Sequence, residues 1–175
     1  MRIQIPALLT VVILFIFQGC SIRVPQAEVA FNQLKKMAGP EEKVRQPVWL
    51  ATFNGRGAVL IPYVTDGYTI FANESGDAVA FDGWVVRSLL GFGRKAALSV
   101  SDDGWTRTSV SNMSGFTGTC SEWRKQVLPE GYEWRQICGI NGHETVIHID
   151  EAGSITSIRQ AFGGDLGTLE LNLRR

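Results

Sequence analysis

Three scarcities bound what this 175-residue chain can be. It lacks an excess of charge, with 17 Lys+Arg against 17 Asp+Glu, so it carries no electrostatic footprint for nucleic acid. It has only two histidines, His143 and His148. Their spacing puts them on opposite faces of an expected strand, which is poor for a shared metal. It also has no hydrophobic run long enough to cross a membrane as a helix; the longest, Ala7 to Phe17, is eleven residues. Catalytic signatures are equally sparse. There is no Gly-x-Ser-x-Gly elbow and no Cys-x-x-Cys, and Ser99, Ser101 and Ser114 have no base beside them in sequence. Gly91-Phe92-Gly93-Arg94-Lys95 lacks the spacing of a phosphate loop. The acidic pairs Asp102-Asp103 and Asp150-Glu151 fall at expected turns. The reading is therefore of a protein that is not an enzyme and takes no metal or cofactor.

What is present begins with a compartment signal. Arg2 followed by the apolar run at 7–17 reads as a secretory signal over residues 1–19. Gly19-Cys20-Ser21 fits a bacterial lipoprotein box, in which Cys20 is acylated and becomes the new N-terminus. Several acyl chains anchor firmly, since each buried CH2 adds about 0.8 kcal/mol. Ser21 rather than Asp after that cysteine fits an outer-membrane lipoprotein facing the periplasm. With Cys20 used, Cys120 and Cys138 remain in an oxidising compartment, and an even remainder implies a disulfide.

Residues 20–46 read as a tether with a short helix over Gln26 to Met37, stopped by Gly39-Pro40. Residues 47–175 read as one antiparallel β domain, a barrel-like or sandwich meander. Strands are expected near 48–53, 57–64, 68–72, 77–81, 84–90, 96–100, 105–110, 117–127, 132–138, 144–150, 154–162 and 166–173. Asp66-Gly67, Asp82-Gly83, Asp103-Gly104 and Asn141-Gly142 punctuate them, because these residues tolerate the positive φ of tight hairpins. A turn centred on Pro129 opposes Cys120 to Cys138, Trp123 to Arg135 and Arg124 to Trp134. The two Trp/Arg pairs are then cation–π candidates.

Aromatic and basic residues also interleave, as in Trp84 with Arg87 and Trp105 with Arg107. Exposed Trp faces stack on sugar rings and Arg forks onto the carboxylates of acidic glycans. Ordinary packing is the more common use of such residues, since Trp is usually core and an Arg beside it is often a surface stack.

Three segments resemble the YjbF/GfcB family of envelope lipoproteins, which are associated with group 4 capsule and exopolysaccharide production. They are Val79-Ala80-Phe81-Asp82-Gly83-Trp84-Val85-Val86-Arg87-Ser88-Leu89-Leu90-Gly91, then Trp105-Thr106-Arg107-Thr108, and Ile147 to Ile155 with Ile158-Arg159-Gln160. The resemblance covers most of residues 57–172, and the chain is shorter than typical members between Thr108 and Ile147. It implies a barrel-like lipoprotein without established catalysis, acting beside other envelope proteins in polysaccharide secretion. Trp84, Arg87, Trp105, Arg107 and Gln160 lie in the matching segments and are the candidate binding residues. The alternative reading is a lipid or lipoprotein chaperone, whose incomplete barrel would line an apolar cavity from Val59 to Val64 and Val85 to Leu90.

Overall fold

The computed structural model describes residues 47–112 and 114–174. Cys20, the signal segment and the expected helix lie outside the described residues. Within them run thirteen antiparallel strands. They are β1 (Val48–Phe53), β2 (Arg56–Thr65), β3 (Tyr68–Ala72), β4 (Ala78–Phe81), β5 (Val86–Leu90), β6 (Leu98–Asp102) and β7 (Thr106–Ser111). Then follow β8 (Ser114–Thr119), β9 (Arg124–Leu128), β10 (Gly131–Cys138), β11 (His143–Ile149), β12 (Ile155–Ala161) and β13 (Thr168–Arg174). A 3-10 turn, Gly164–Leu166, precedes β13.

One sheet holds all thirteen strands, in the order β8-β7-β6-β5-β4-β3-β2-β1-β13-β12-β11-β10-β9. First and last strands are neighbours at its centre, and two wings extend from them and curl toward each other as a half-barrel. The bend lies in β2. Its Arg56–Leu60 half pairs with β1 and its Ile61–Thr65 half with β3. Pro62, which has no N–H to donate, falls just past the point where β2 leaves β1. The hairpins follow local chemistry. Asp66 and Gly67 both sit at positive φ between β2 and β3, and Asn54 and Gly55 do the same between β1 and β2.

Alternation sends one face of each wing inward. Trp49, Phe53, Leu60, Phe71, Phe81 and Leu89 from one side meet Ile147, Ile158, Leu169 and Leu171 from the other. This arrangement answers the chaperone reading. Leu60, Val86 and Leu89 are fully buried in packed core, whereas Val59 and Val64 point to solvent. The two stretches supply core and outer surface, not the wall of an acyl-chain cavity.

Two expectations are corrected. The single strand expected over 117–127 is two strands, β8 and β9, at opposite edges of the sheet. The Pro129 hairpin is also tighter by one residue. Only Pro129 and Glu130 form its loop, so Leu128 opposes Gly131, Lys125 opposes Trp134, and Arg124 opposes Arg135. The expected Trp123/Arg135 and Arg124/Trp134 pairs therefore do not form. Instead the Lys125 Nζ lies 3.8 Å from the Tyr132 ring centroid and 5.9 Å from that of Trp134. Cys120 still opposes Cys138, because residues 121–123 leave the ladder and absorb the offset.

That cysteine pair is the seam between the wings. The disulfide joins Cα atoms 4.0 Å apart, flanked by backbone bonds from Gly139 N–H to the Thr119 carbonyl and from Ser121 N–H to the Ile137 carbonyl, each 2.8 Å. The crosslink spans a separation of 18 residues, so removing it with Cys120→Ala/Cys138→Ala should cost about 3 kcal/mol. Urea unfolding of oxidised wild type and the double variant measures this, and equal midpoints would contradict it.

Candidate functional site

Two turns at the same end of neighbouring hairpins share one sequence, Asp82-Gly83-Trp84 and Asp103-Gly104-Trp105. In the first, Asp82 Oδ1 accepts from the N–H groups of Trp84 (2.9 Å) and Val85 (2.7 Å). In the second, Asp103 Oδ1 accepts from those of Trp105 (2.9 Å) and Thr106 (2.6 Å). The carboxylate satisfies amides that the turn would otherwise leave open, and the glycine supplies the positive φ, +100° and +91°. Each turn thereby lifts a tryptophan to the rim. Trp84 is 45% exposed and Trp105 63%.

The arginines of the two hairpins repeat as well, each five residues beyond an aspartate. Arg87 Nε is 2.5 Å from Asp82 Oδ2, and its Nη1 donates to the Asp102 carbonyl at 3.1 Å, tying the turns together. Arg107 Nε is 2.6 Å from Asp102 Oδ2. There the likeness ends, because Arg87 lies half-buried at the rim and Arg107 is 1% exposed between the wings. Its Nη1 donates to Thr145 Oγ1 (2.5 Å) and its Nη2 to Gln136 Oε1 (2.6 Å). Gln136 passes the connection on, donating to the carbonyls of Ser121 (3.0 Å) and Gly104 (3.3 Å). Burial draws the Arg107 guanidinium below the usual arginine range, partly opposed by Asp102.

The five candidate residues therefore divide. Trp84, Trp105 and Arg87 stand together at the rim. Arg107 and Gln160 are inside, and this is a correction to their reading as ligand contacts. The Gln160 amide lies against the opposite wing, accepting from Val86 N–H (2.8 Å) and donating to the Val86 carbonyl (3.1 Å). Both side chains are fully engaged in holding the wings together and present nothing to a ligand.

Two residues outside that set complete the rim. The Trp84 ring centroid lies 5.1 Å from Trp123 and 5.4 Å from Trp134, so a turn of one wing is seated on aromatics of the other. Arg124 and Lys125 are exposed on β9 between those two tryptophans in sequence.

A second group of polar side chains lies on the outer face of β10, β11 and β12. Glu133, His148 and Ser157 are directly opposed across these strands. His148 Nε2 is 3.0 Å from Glu133 Oε2, and His148 Nδ1 is 2.9 Å from Ser157 Oγ. They line a pocket of about 390 Å³ together with Arg135, Arg159 and Asn172. Burial raises the Glu133 carboxyl, but the hydrogen bonds and charge of Arg135 and His148 outweigh it and hold the group below the usual range. The His148 side chain is 45% exposed.

No protein-family model and no curated protein sequence matches the chain. Among solved structures, the fold is shared with the hypothetical lipoprotein YmcC from Escherichia coli. The TM-score is 0.54 at 11% identity, over 90% of this chain and 97% of that one. At that identity the likeness is one of fold.

Two predictions follow from the rim and its support. Arg107→Ala strands a buried carboxylate, a glutamine and a threonine at once, and should cost about 3–5 kcal/mol. A loss below about 1 kcal/mol in urea unfolding would show that these groups find other partners. For Asp82, burial raises the carboxyl, but the Val85 and Trp84 amides and Arg87 pull it below the usual range. Its contribution is present above the ordinary carboxylate range and is lost as pH falls through the lowered folded value. Asp82→Asn should therefore be less stable than wild type at neutral pH and converge with it as pH falls below the ordinary carboxylate range and through the lowered folded value. Parallel unfolding midpoints at all pH values would refute the assignment.

Proposed function

We propose that this chain is an outer-membrane lipoprotein, anchored through Cys20 and facing the periplasm, that assists exopolysaccharide or capsule production or export by binding glycan at its tryptophan rim. The observation that carries the reading is the pair of Asp-Gly-Trp turns. They hold Trp84 and Trp105 exposed at one end, with Trp123 and Trp134 beside them. Aromatic faces presented by rigid turns stack on sugar rings with little ordering cost. Lys125, whose Nζ lies over the Tyr132 ring and near that of Trp134, supplies exposed positive charge beside those rings and favours an acidic glycan. Arg87, engaged by Asp82, orients the turns and leaves little of its charge for a ligand. The lipoprotein box, the YjbF/GfcB resemblance and the fold shared with another lipoprotein all support an envelope role. A polysaccharide-secretion protein seated on the same rim is the partner form of this reading.

The test is titration of full-length protein in detergent with an acidic polysaccharide. Trp105→Ala should weaken binding by about tenfold, the loss of one stacked ring, while leaving the unfolding midpoint unchanged. No binding to wild type at high micromolar concentration, together with no co-purifying secretion protein, would overturn the proposal.

A further inference from the structure

The row Glu133–His148–Ser157 has the geometry of an activated nucleophile: a hydroxyl on one imidazole nitrogen and a carboxylate on the other, both within hydrogen-bond reach. Bond direction follows from chemistry. An ionised carboxylate only accepts, so when the imidazole is neutral His148 Nε2 carries its one proton and donates to Glu133. That leaves Nδ1 as the acceptor of the Ser157 hydroxyl, which is the arrangement a general base requires. Glu133 is in turn held by Arg135 at 3.0 Å, so the acid that orients the imidazole is itself fixed.

The backbone re-aims this row. Register between β11 and β12 shifts between His148 and Ile149, leaving Thr156 as the extra residue of a bulge beside both His148 and Ser157. Bulges redirect side chains and recur next to active sites. Donors stand around the nucleophile. Asn172 is the register partner of Ser157 on β13, and Arg159 lies two residues along on the same face. Arg159 reaches Glu144 and Glu170 only at 3.8 and 3.5 Å. Such loose pairs leave its N–H groups available to a developing oxyanion.

We infer that Ser157 is a nucleophile for acyl-ester hydrolysis, with His148 as general base and acid and Glu133 as the residue that positions it. In the first step the Ser157 Oγ forms a bond to the ester carbonyl carbon and its proton passes to His148 Nδ1. The carbon–oxygen bond to the leaving alcohol breaks, and the alcohol departs with that proton. Water then attacks the acyl-serine, giving a proton to His148. The carboxylic acid leaves, and the serine hydroxyl is restored. The pocket, about 390 Å³, is bounded by Val146 and Ile158 as well as by charged and polar side chains, so the substrate class is acyl esters with a short acyl chain and a polar or charged remainder. This activity is independent of glycan binding at the tryptophan rim.

The experiment exposes full-length protein in detergent to a fluorophosphonate, which is displaced at phosphorus by a reactive serine with loss of fluoride, and maps the adduct by mass spectrometry. The adduct is expected on Ser157 and absent in Ser157→Ala. His148→Ala should slow labelling by about a hundredfold or more, and turnover of p-nitrophenyl acetate should fall in parallel. Glu133→Gln should lower kcat with KM unchanged, the sign of positioning rather than of a disturbed pocket. Labelling in the presence of excess acidic polysaccharide should proceed at the wild-type rate, which separates this inference from the glycan reading. No adduct on Ser157 in protein that unfolds at the wild-type midpoint would overturn it. So would labelling indifferent to His148→Ala.

Discussion

A guanidinium buried between two β wings is the constraint on which the rest of this molecule leans. Arg107 leaves β7, takes the Asp102 carboxylate from its own hairpin, and reaches across the interior to Thr145 and Gln136. A charge so far from water is tolerable only because its donors meet oxygen atoms. Those oxygens come from three separate parts of the fold. The wings therefore cannot slide relative to each other without stranding a buried charge. Gln160 makes a neutral version of the same link one strand further along, and the Cys120–Cys138 seam closes the corner.

The rim inherits its geometry from this clasp. Gln136 is shared between Arg107 and the Gly104 carbonyl, so the turn carrying Trp105 is tied to the opposite wing through the buried network. The turn carrying Trp84 is tied to its neighbour through Arg87 and rests on Trp123 and Trp134. The rim is held in place because its supports are internal. The two arginines that looked like ligand contacts in the sequence are the supports themselves.

How legible this was depends on the range of the interaction involved. Strand positions and most turns could be read along the chain, since Asp-Gly and Asn-Gly pairs and period-two alternation act over a few residues. The polar row on the outer face could not. A two-residue loop at Asn141-Gly142 would set Glu133 opposite Asp150, whereas the observed hairpin has a four-residue loop and sets it opposite His148. A bulge then brings His148 level with Ser157. One residue of slip at either place would have turned a side chain to the other face. The repeat of Asp-Gly-Trp, by contrast, is visible in the sequence and is the signal that marks the rim.

By itself, then, the sequence determined the all-β class, most of the hairpin turns and the cysteine pair, because each rests on local backbone chemistry or on composition. Only the tertiary structure decided which residues face one another across the wings. That is why Arg107 and Gln160 are interior clasps and why Glu133, His148 and Ser157 form a row. Such pairings depend on loop lengths and bulges summed over many residues, and no local preference encodes that sum.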